Sequence, residues 1–374
     1  MNSCSLYIHI PFCASFCDYC DFYSCALPCD DQIEAFARAL VNDINFQLDF
    51  FDIKKIKTVY IGGGTPSVLG KRIKFLLDAL NKKNGFAPEE FTVEANPESA
   101  DEEFLSVCRE GGVNRLSLGV QTFHEPSRTA VNRKGNASVL KRCLSLASSF
   151  FPASLSADLM TGLPYQNEKI VKDDLKRLFD FNLSHISLYS LTLEKGTPLE
   201  KKLKLKEVLL PDNDSSDSVW LTARDTLIEE GFLHYEISNF AKNKNLCLHN
   251  IRYWRMEQWL GAGPGASGTI IYDEPLNAKR FTYIQDADLY VKNPFLNNAK
   301  CEKLDKKTFL RDTLLMGFRY FEGPSKELFK KRFGLEIEEC IPKTLFNWKE
   351  RDKMLFLNKF LSEAFMELDK KEGI

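Results

Sequence analysis

The feature that most constrains this chain is a sixfold alternation of short β-rich runs and helical patterns over its first half. The runs are 6–10, 58–61, 91–94, 115–120, 154–160 and 185–191, most of them rich in Ile, Val, Leu, Tyr or Phe. Between them the apolar residues recur at helical spacing. Segment 31–50 is the clearest: Ile33, Phe36, Ala37, Leu40, Val41, Ile44 and Leu48 share one face, with Asp30 or Asp31 placed to cap it. Segments 69–80, 102–110, 138–150 and 170–181 repeat the theme. Strand–helix alternation predicts an α/β fold with a parallel sheet and crossover helices. About 200 residues is short for eight units, so an incomplete (β/α)6 barrel is the economical reading.

In such barrels chemistry gathers on the loops that follow the strands. The unusual residues fall there. A cysteine segment follows the first run, Gly62-Gly63-Gly64-Thr65-Pro66 the second and Glu94-Ala95-Asn96-Pro97 the third. Gln121, Gly162-Leu163-Pro164 and Thr192 follow the other three. Beyond residue 200 the pattern changes. A helix is expected over 219–230, a strand over 233–238, loops over 242–300 and helices from about Phe309 onward. The expected division is a core barrel at 1–240, a linking region at 241–305 and a smaller, mostly helical domain at 306–374.

The chain has 50 basic and 52 acidic residues, a formal net charge of −2. That argues against a nucleic-acid binder relying on counterion release, though it leaves room for a local basic patch. Six of the 11 cysteines (Cys4, Cys13, Cys17, Cys20, Cys25 and Cys29) lie in the first 29 residues. No secretory signal precedes them, and no apolar run is long enough for a membrane span. A cytoplasmic, reducing setting is expected, where clustered cysteines bind metal or react. Cys13, Cys17 and Cys20 are spaced by four and three, so three sulfurs can meet one small object. Zinc would need a fourth ligand, from Cys4, Cys25 or Cys29. An iron–sulfur cluster would be left with an open iron. Unrelated free thiols are the plain alternative.

The cysteine triplet and its context, Tyr7-Ile8-His9-Ile10-Pro11-Phe12-Cys13, resemble the radical S-adenosylmethionine (SAM) superfamily. The branch resembled holds oxygen-independent coproporphyrinogen III oxidases and the HemW heme chaperones. The likeness continues through 62–66, 114–121, 158–164 and 260–266. It implies that Cys13, Cys17 and Cys20 hold a [4Fe–4S] cluster whose open iron is chelated by SAM. It also implies SAM contacts at Tyr7, Gly63, Gly64, Thr65, Glu94, Gln121, Arg133 and Asp158. A winged-helix-like C-terminal domain is a further implication.

Two departures choose between branches. The decarboxylating oxidases carry a fourth cysteine two residues after the third; here Phe22 stands there. They also carry an extension before the first strand, which here begins a few residues from the start. Both disfavour coproporphyrinogen decarboxylation. His249-Asn250-Ile251-Arg252-Tyr253-Trp254 matches the heme-chaperone signature. By that resemblance His249, Tyr253 and Trp254 contact heme, with Cys247 an alternative ligand, since heme iron accepts His, Cys or Tyr. The expected cofactors are the cluster, SAM and heme. The expected partner is an acceptor hemoprotein, respiratory and membrane-associated, with a dimer possible. No catalytic residue is assigned. The rivals are the oxidase and a heme binder with a purely structural cluster. The G-x-G-x-x-G pattern at 263–268 is read as a turn, because Pro264 interrupts it and a strand-like run follows. Lys201, Lys202, Lys204 and Lys206 are read as a solvated helix face, with a contact to heme propionates or to an acidic partner as the minority view.

Overall fold

The computed structural model describes residues 2–83, 86–273 and 276–371. Six parallel strands stand side by side in chain order: β1 Ser3–Ile10, β2 Lys55–Gly63, β3 Glu90–Ala95, β4 Arg115–Gln121, β5 Leu155–Thr161 and β6 His185–Ser190. Sequential order with right-handed crossovers puts the helices on one face and curves the sheet as in a barrel. The alternation of side chains does the rest. Leu6, Ile8 and Ile10, Val59 and Ile61, Phe91 and Val93, Leu116 and Leu118, and Ile186 and Leu188 are buried in the main core. Helical residues such as Phe36, Leu40, Leu76, Phe104, Leu144 and Leu175 complete that core. Each fully buried side chain of this kind is worth about 1.5–3 kcal/mol.

Helix starts follow their sequence signals. Asp101, Asn136 and Asn167 each accept a backbone N–H two or three residues inside helices Glu102–Glu110, Ala137–Phe150 and Glu168–Phe179. Such caps contribute about 1 kcal/mol each. The helix expected over 69–80 is split instead. A 3₁₀ segment, Pro66–Arg72, contains Gly70 at φ 52°, and the α-helix runs Ile73–Asn81.

The segment expected to be loop-rich carries four strands. After β7 Leu233–Glu236 and β8 Asn239–Ala241 come β9 Trp259–Ala262, β10 Ser267–Asp273, β11 Leu276–Tyr283 and β12 Ala299–Leu304. β9 pairs parallel with β1, and β10 to β12 continue antiparallel from it. On the other edge β8 pairs with β6. The first and sixth barrel strands thus each gain a neighbour rather than pairing with one another. The turn at 263–266 joins β9 to β10. Gly263 is at φ 106° there, and a Cβ on it would stand 2.4 Å from the His9 carbonyl oxygen. Helices Lys306–Gly317, Lys326–Phe333 and Leu357–Leu368 enclose a second apolar cluster with Phe309, Leu314, Phe329, Trp348 and Phe360. Among the described residues no helix is long and apolar enough to cross a membrane.

Candidate functional site

The inward residues of the six strands are largely polar: Tyr7 and His9, Thr58 and Tyr60, Glu90 and Glu94, Arg115 and Ser117, Asp158, then His185 and Ser187. The cysteine loop covers the C-terminal end of this face. Phe12–Cys13 pairs with Cys25–Ala26 and brings the loop back on itself. Cys13, Cys17 and Cys20 are free and half-buried. Burial pushes the Cys20 thiol up to about 11, and the neighbouring Cys17 and Cys13 add to the shift. Burial also raises Cys13, with Cys17 adding. The three sulfurs therefore lie within electrostatic reach of one another.

Hydrogen bonds tie this loop to the strand ends. Cys13 Sγ is 3.6 Å from Thr65 Oγ1. Asn96 donates through Nδ2 to Thr65 Oγ1 at 3.1 Å, and its Oδ1 accepts from Arg133 Nη2 at 2.7 Å. Arg133 Nη1 points at Cys17 Sγ, 3.5 Å away, while Nη2 also donates to the Gly119 carbonyl. Glu94 accepts from Tyr60 Oη at 2.8 Å and from the Gly63 amide at 3.3 Å. Tyr7 shares a hydrogen bond with His9 Nδ1 at 3.0 Å. Asp158 accepts from Ser117 Oγ at 3.1 Å. Burial lifts Glu94 to about 7, with Asp158 adding to it and the Tyr60 and Gly63 bonds opposing. Burial raises Asp158 as well. Gly63 is at φ 114°, and a Cβ on it would meet the His9 ring at 2.7 Å, so only glycine fits.

Of the eight residues expected to contact SAM, Gly63, Gly64, Thr65, Glu94, Gln121 and Arg133 stand at or just beyond the C-terminal strand ends, while Tyr7 and Asp158 sit lower, in the middle of β1 and β5. Their chemistry fits a small zwitterion. Gln121 sits at φ 67°, a strained conformation of the kind that clusters at functional sites. Gln121 Oε1 and Arg133 Nε are buried with no hydrogen-bond partner among the described residues. Such orphaned groups suit a polar ligand. Among the described residues the three thiols do not stand as a closed ligand group; drawn together beside one guanidinium, they would suit a cationic iron centre, which relieves their mutual repulsion as thiolates. A cluster, were it held by Cys13, Cys17 and Cys20, would supply an open iron for a chelating ligand. The chain's own part would be to hold that ligand: Arg133 Nε is the guanidinium donor left over for a carboxylate, and Glu94 and Asp158 would serve as acceptors.

The residues expected to contact heme lie elsewhere. Helix Leu248–Trp254 closes the opposite end of the barrel, against the strand starts. Glu90, the first residue of β3, accepts the amides of Leu248 at 2.8 Å and His249 at 2.9 Å. The Cys247 thiol also turns to Glu90, at 3.5 Å. His249 is 1% exposed; Nδ1 meets Thr58 Oγ1 and Nε2 meets Tyr253 Oη, both at 2.9 Å. Trp254 lies beneath the Arg319 guanidinium. In this packing His249 and Cys247 present no free ligand atom to a porphyrin. From Thr58 to Gly63 is five residues of strand, so floor and cluster end are roughly 16 Å apart. Tyr60 spans part of that gap: its ring is 5.2 Å from the His249 ring, and its hydroxyl reaches Glu94.

Comparison with known proteins agrees with this geometry. The radical SAM superfamily profile matches residues 7–178. A heme chaperone HemW from Lactococcus lactis is 34% identical over 378 residues, 97% of each chain. This chain belongs to the HemW family of the radical SAM superfamily. The HemW of Escherichia coli is 35% identical over 333 residues, 88% of this chain and 86% of that one. A mouse mitochondrial radical SAM domain-containing protein is 34% identical, covering 84% of this chain and 73% of its own. Among solved structures, coproporphyrinogen III oxidase (HemN) from E. coli shares the fold. Its TM-score is 0.80 over 99% of this chain and 90% of that one, at 20% identity. Radical SAM membership implies the [4Fe–4S] cluster and SAM.

Three site residues escape sequence reading of this HemW family member. Asn96, noted only as part of a strand end, is the hinge between Thr65 and Arg133. His9 buttresses both Gly63 and the cysteine loop, its Nε2–H donating to the Tyr23 carbonyl at 2.9 Å. Glu90 holds the floor helix, and no local motif marks it.

Proposed function

We propose that this chain is a radical-SAM-type heme chaperone, which binds heme and passes it to an acceptor hemoprotein. The observation that carries this is the near-full-length likeness to HemW chaperones, joined to the cysteine triplet with Phe22 in place of a fourth cysteine. Phe22 is 70% exposed on the cluster loop and contributes no ligand. The acceptor on this reading is a respiratory, membrane-associated hemoprotein, and the chaperone meets it from the cytoplasm. Cluster-dependent dimerisation belongs to the same proposal.

One sample decides the matter. The protein is reconstituted anaerobically with iron and sulfide, titrated with heme, then given coproporphyrinogen III, SAM and reductant. Stoichiometric heme binding without porphyrinogen turnover is expected. Turnover to protoporphyrinogen would replace the chaperone by the oxidase. Heme binding unaltered by loss of the cluster would reduce the cluster to a structural element.

A further inference from the structure

We propose that an open pocket beside the cluster loop is the docking site of the heme cargo, with the Tyr165 ring against the macrocycle and Lys202 at its propionate edge. This rests on the heme-chaperone reading above. The pocket measures about 630 Å³ and is walled by Pro126, Thr129, Ala130, Tyr165, Lys202 and Val208. Its size and mostly apolar walls are those of a site for a ligand in the range of about 300–1,000 Å³. The buried floor helix leaves His249 and Cys247 without a free ligand atom, so the cargo needs another surface.

Tyr165 is the pointed feature. It sits at φ 64°, a left-handed backbone that is a rare outlier for a bulky residue. Such a conformation persists only where its surroundings enforce it. Here they do. Ser127 Oγ donates to the Pro164 carbonyl at 2.5 Å. The Gln166 side chain accepts the Leu163 amide at 3.2 Å and donates to Met160 O at 2.9 Å. The turn is thus fixed while the Tyr165 ring is left 55% exposed at the pocket wall, outside the neighbouring apolar cluster of Val131, Leu163, Leu199 and Val208. A phenol in that position can stack on a porphyrin or ligate ferric iron.

Charge narrows the ligand. Lys202, on helix Pro198–Lys204, is the lysine that lines the pocket, and its Nζ also donates to the Ala130 carbonyl at 3.2 Å. Glu125 and Glu207 also line it. Two carboxylates repel a ligand with acids all round its rim and admit one whose acids share an edge. Heme carries two propionates on one edge; coproporphyrinogen carries four around the ring. The pocket also touches the cluster loop: Lys202 Nζ lies 2.6 Å from Asp18 Oδ2, between Cys17 and Cys20. Leu199 N–H donates to Asp18 O at 2.9 Å. Cargo at Lys202 is therefore one ion pair from the cluster loop, and shares no lining residue with the Glu94–Asp158 site.

The test is a heme titration of the full reconstituted chain by absorbance, with iron and sulfide counted in each sample. Thr129→Trp fills the pocket from an exposed helical position. Tyr165→Gly removes the ring and relieves the left-handed backbone, so it folds. Both variants are expected to keep the cluster and to lose heme affinity about tenfold or more. If either keeps wild-type affinity, the pocket is not the docking site. If the wild-type chain itself binds no heme, the chaperone reading falls instead, which separates the two failures.

Discussion

Arg133 and Cys17 stand at one end of a hydrogen-bonded chain that returns to Cys13. The links are Cys17 Sγ to Arg133 Nη1 at 3.5 Å, Arg133 Nη2 to Asn96 at 2.7 Å, Asn96 to Thr65 at 3.1 Å, and Thr65 to Cys13 at 3.6 Å. Two of the three cysteines are thus positioned through side chains from the second, third and fourth strand–helix units. A guanidinium does this because its planar fork serves several acceptors at once; an ammonium has no such fork.

Arg133→Lys therefore keeps the charge and loses the geometry. SAM affinity is expected to fall about tenfold, measured by equilibrium dialysis on reconstituted protein. Asn96→Ala should fall similarly, because it breaks the same chain. Wild-type affinity in both would show that the chain does not serve the ligand site.

Five of the six N-terminal cysteines, all but Cys4, are expected to divide. Cys13→Ala, Cys17→Ala and Cys20→Ala should each abolish the cluster, read as iron and acid-labile sulfide per chain. Cys25→Ala and Cys29→Ala should leave both counts unchanged. Cys29 is exposed and bonded to Gln32, away from the triplet. Iron lost with Cys25 would mean that its place opposite Phe12 makes it a ligand.

What the sequence made legible follows local physics. The six barrel strands announce themselves because each is an apolar run buried on its helix-facing side, as at 115–120, where Leu116, Leu118 and Val120 alternate with Arg115, Ser117 and Gly119. The long amphipathic helix beginning at Asp30 was equally plain. Strands β9, β11 and β12 were hidden, whereas β10 showed as the strand-like run that follows the 263–268 glycines. Ala278 alone of the first five residues of β11 is buried, so no apolar run marks it. Its place is set by pairing across the sheet, which no local pattern encodes. The floor helix Leu248–Trp254 is only seven residues long, too short for a periodic signal. Its anchor, Glu90, lies more than 150 residues away in the chain. The cysteine triplet was visible by spacing alone, whereas Asn96 becomes a site residue only through the fold.

Glu94 gives the ligand site a pH dependence. Its ordinary value of 4.5 is raised to about 7, so the free protein holds the neutral acid until pH approaches 7. An acid raised in the folded state favours folding when protonated, and that contribution is lost as pH rises from 4.5 through about 7. As an acceptor for SAM, Glu94 needs its carboxylate. SAM affinity is expected to strengthen as pH rises through about 7, followed by dialysis across that window. Glu94→Gln should bind more weakly and with no such rise. A flat wild-type profile would remove Glu94 from the contact set.

His249 offers the sharpest contrast between a wall residue and a heme ligand. Burial pushes its imidazole down to about 3, so it is neutral in the fold. The unfolded chain takes up a proton below 6.5, and stability is therefore lost as pH falls through 6.5. His249→Ala leaves Tyr253 Oη without its partner and Thr58 Oγ1 with its bond to Ser5 Oγ alone, which should lower stability by about 2–4 kcal/mol, seen in thermal unfolding. It should also flatten the acid side of the stability profile. Thr58→Val removes one of the same bonds without touching the imidazole, and is expected to destabilise in the same direction. Heme affinity should survive both changes at temperatures where the variants stay folded. If His249→Ala instead abolished heme binding while unfolding at the wild-type temperature, the imidazole would be a heme ligand. The floor helix would then have to leave Glu90 to present it.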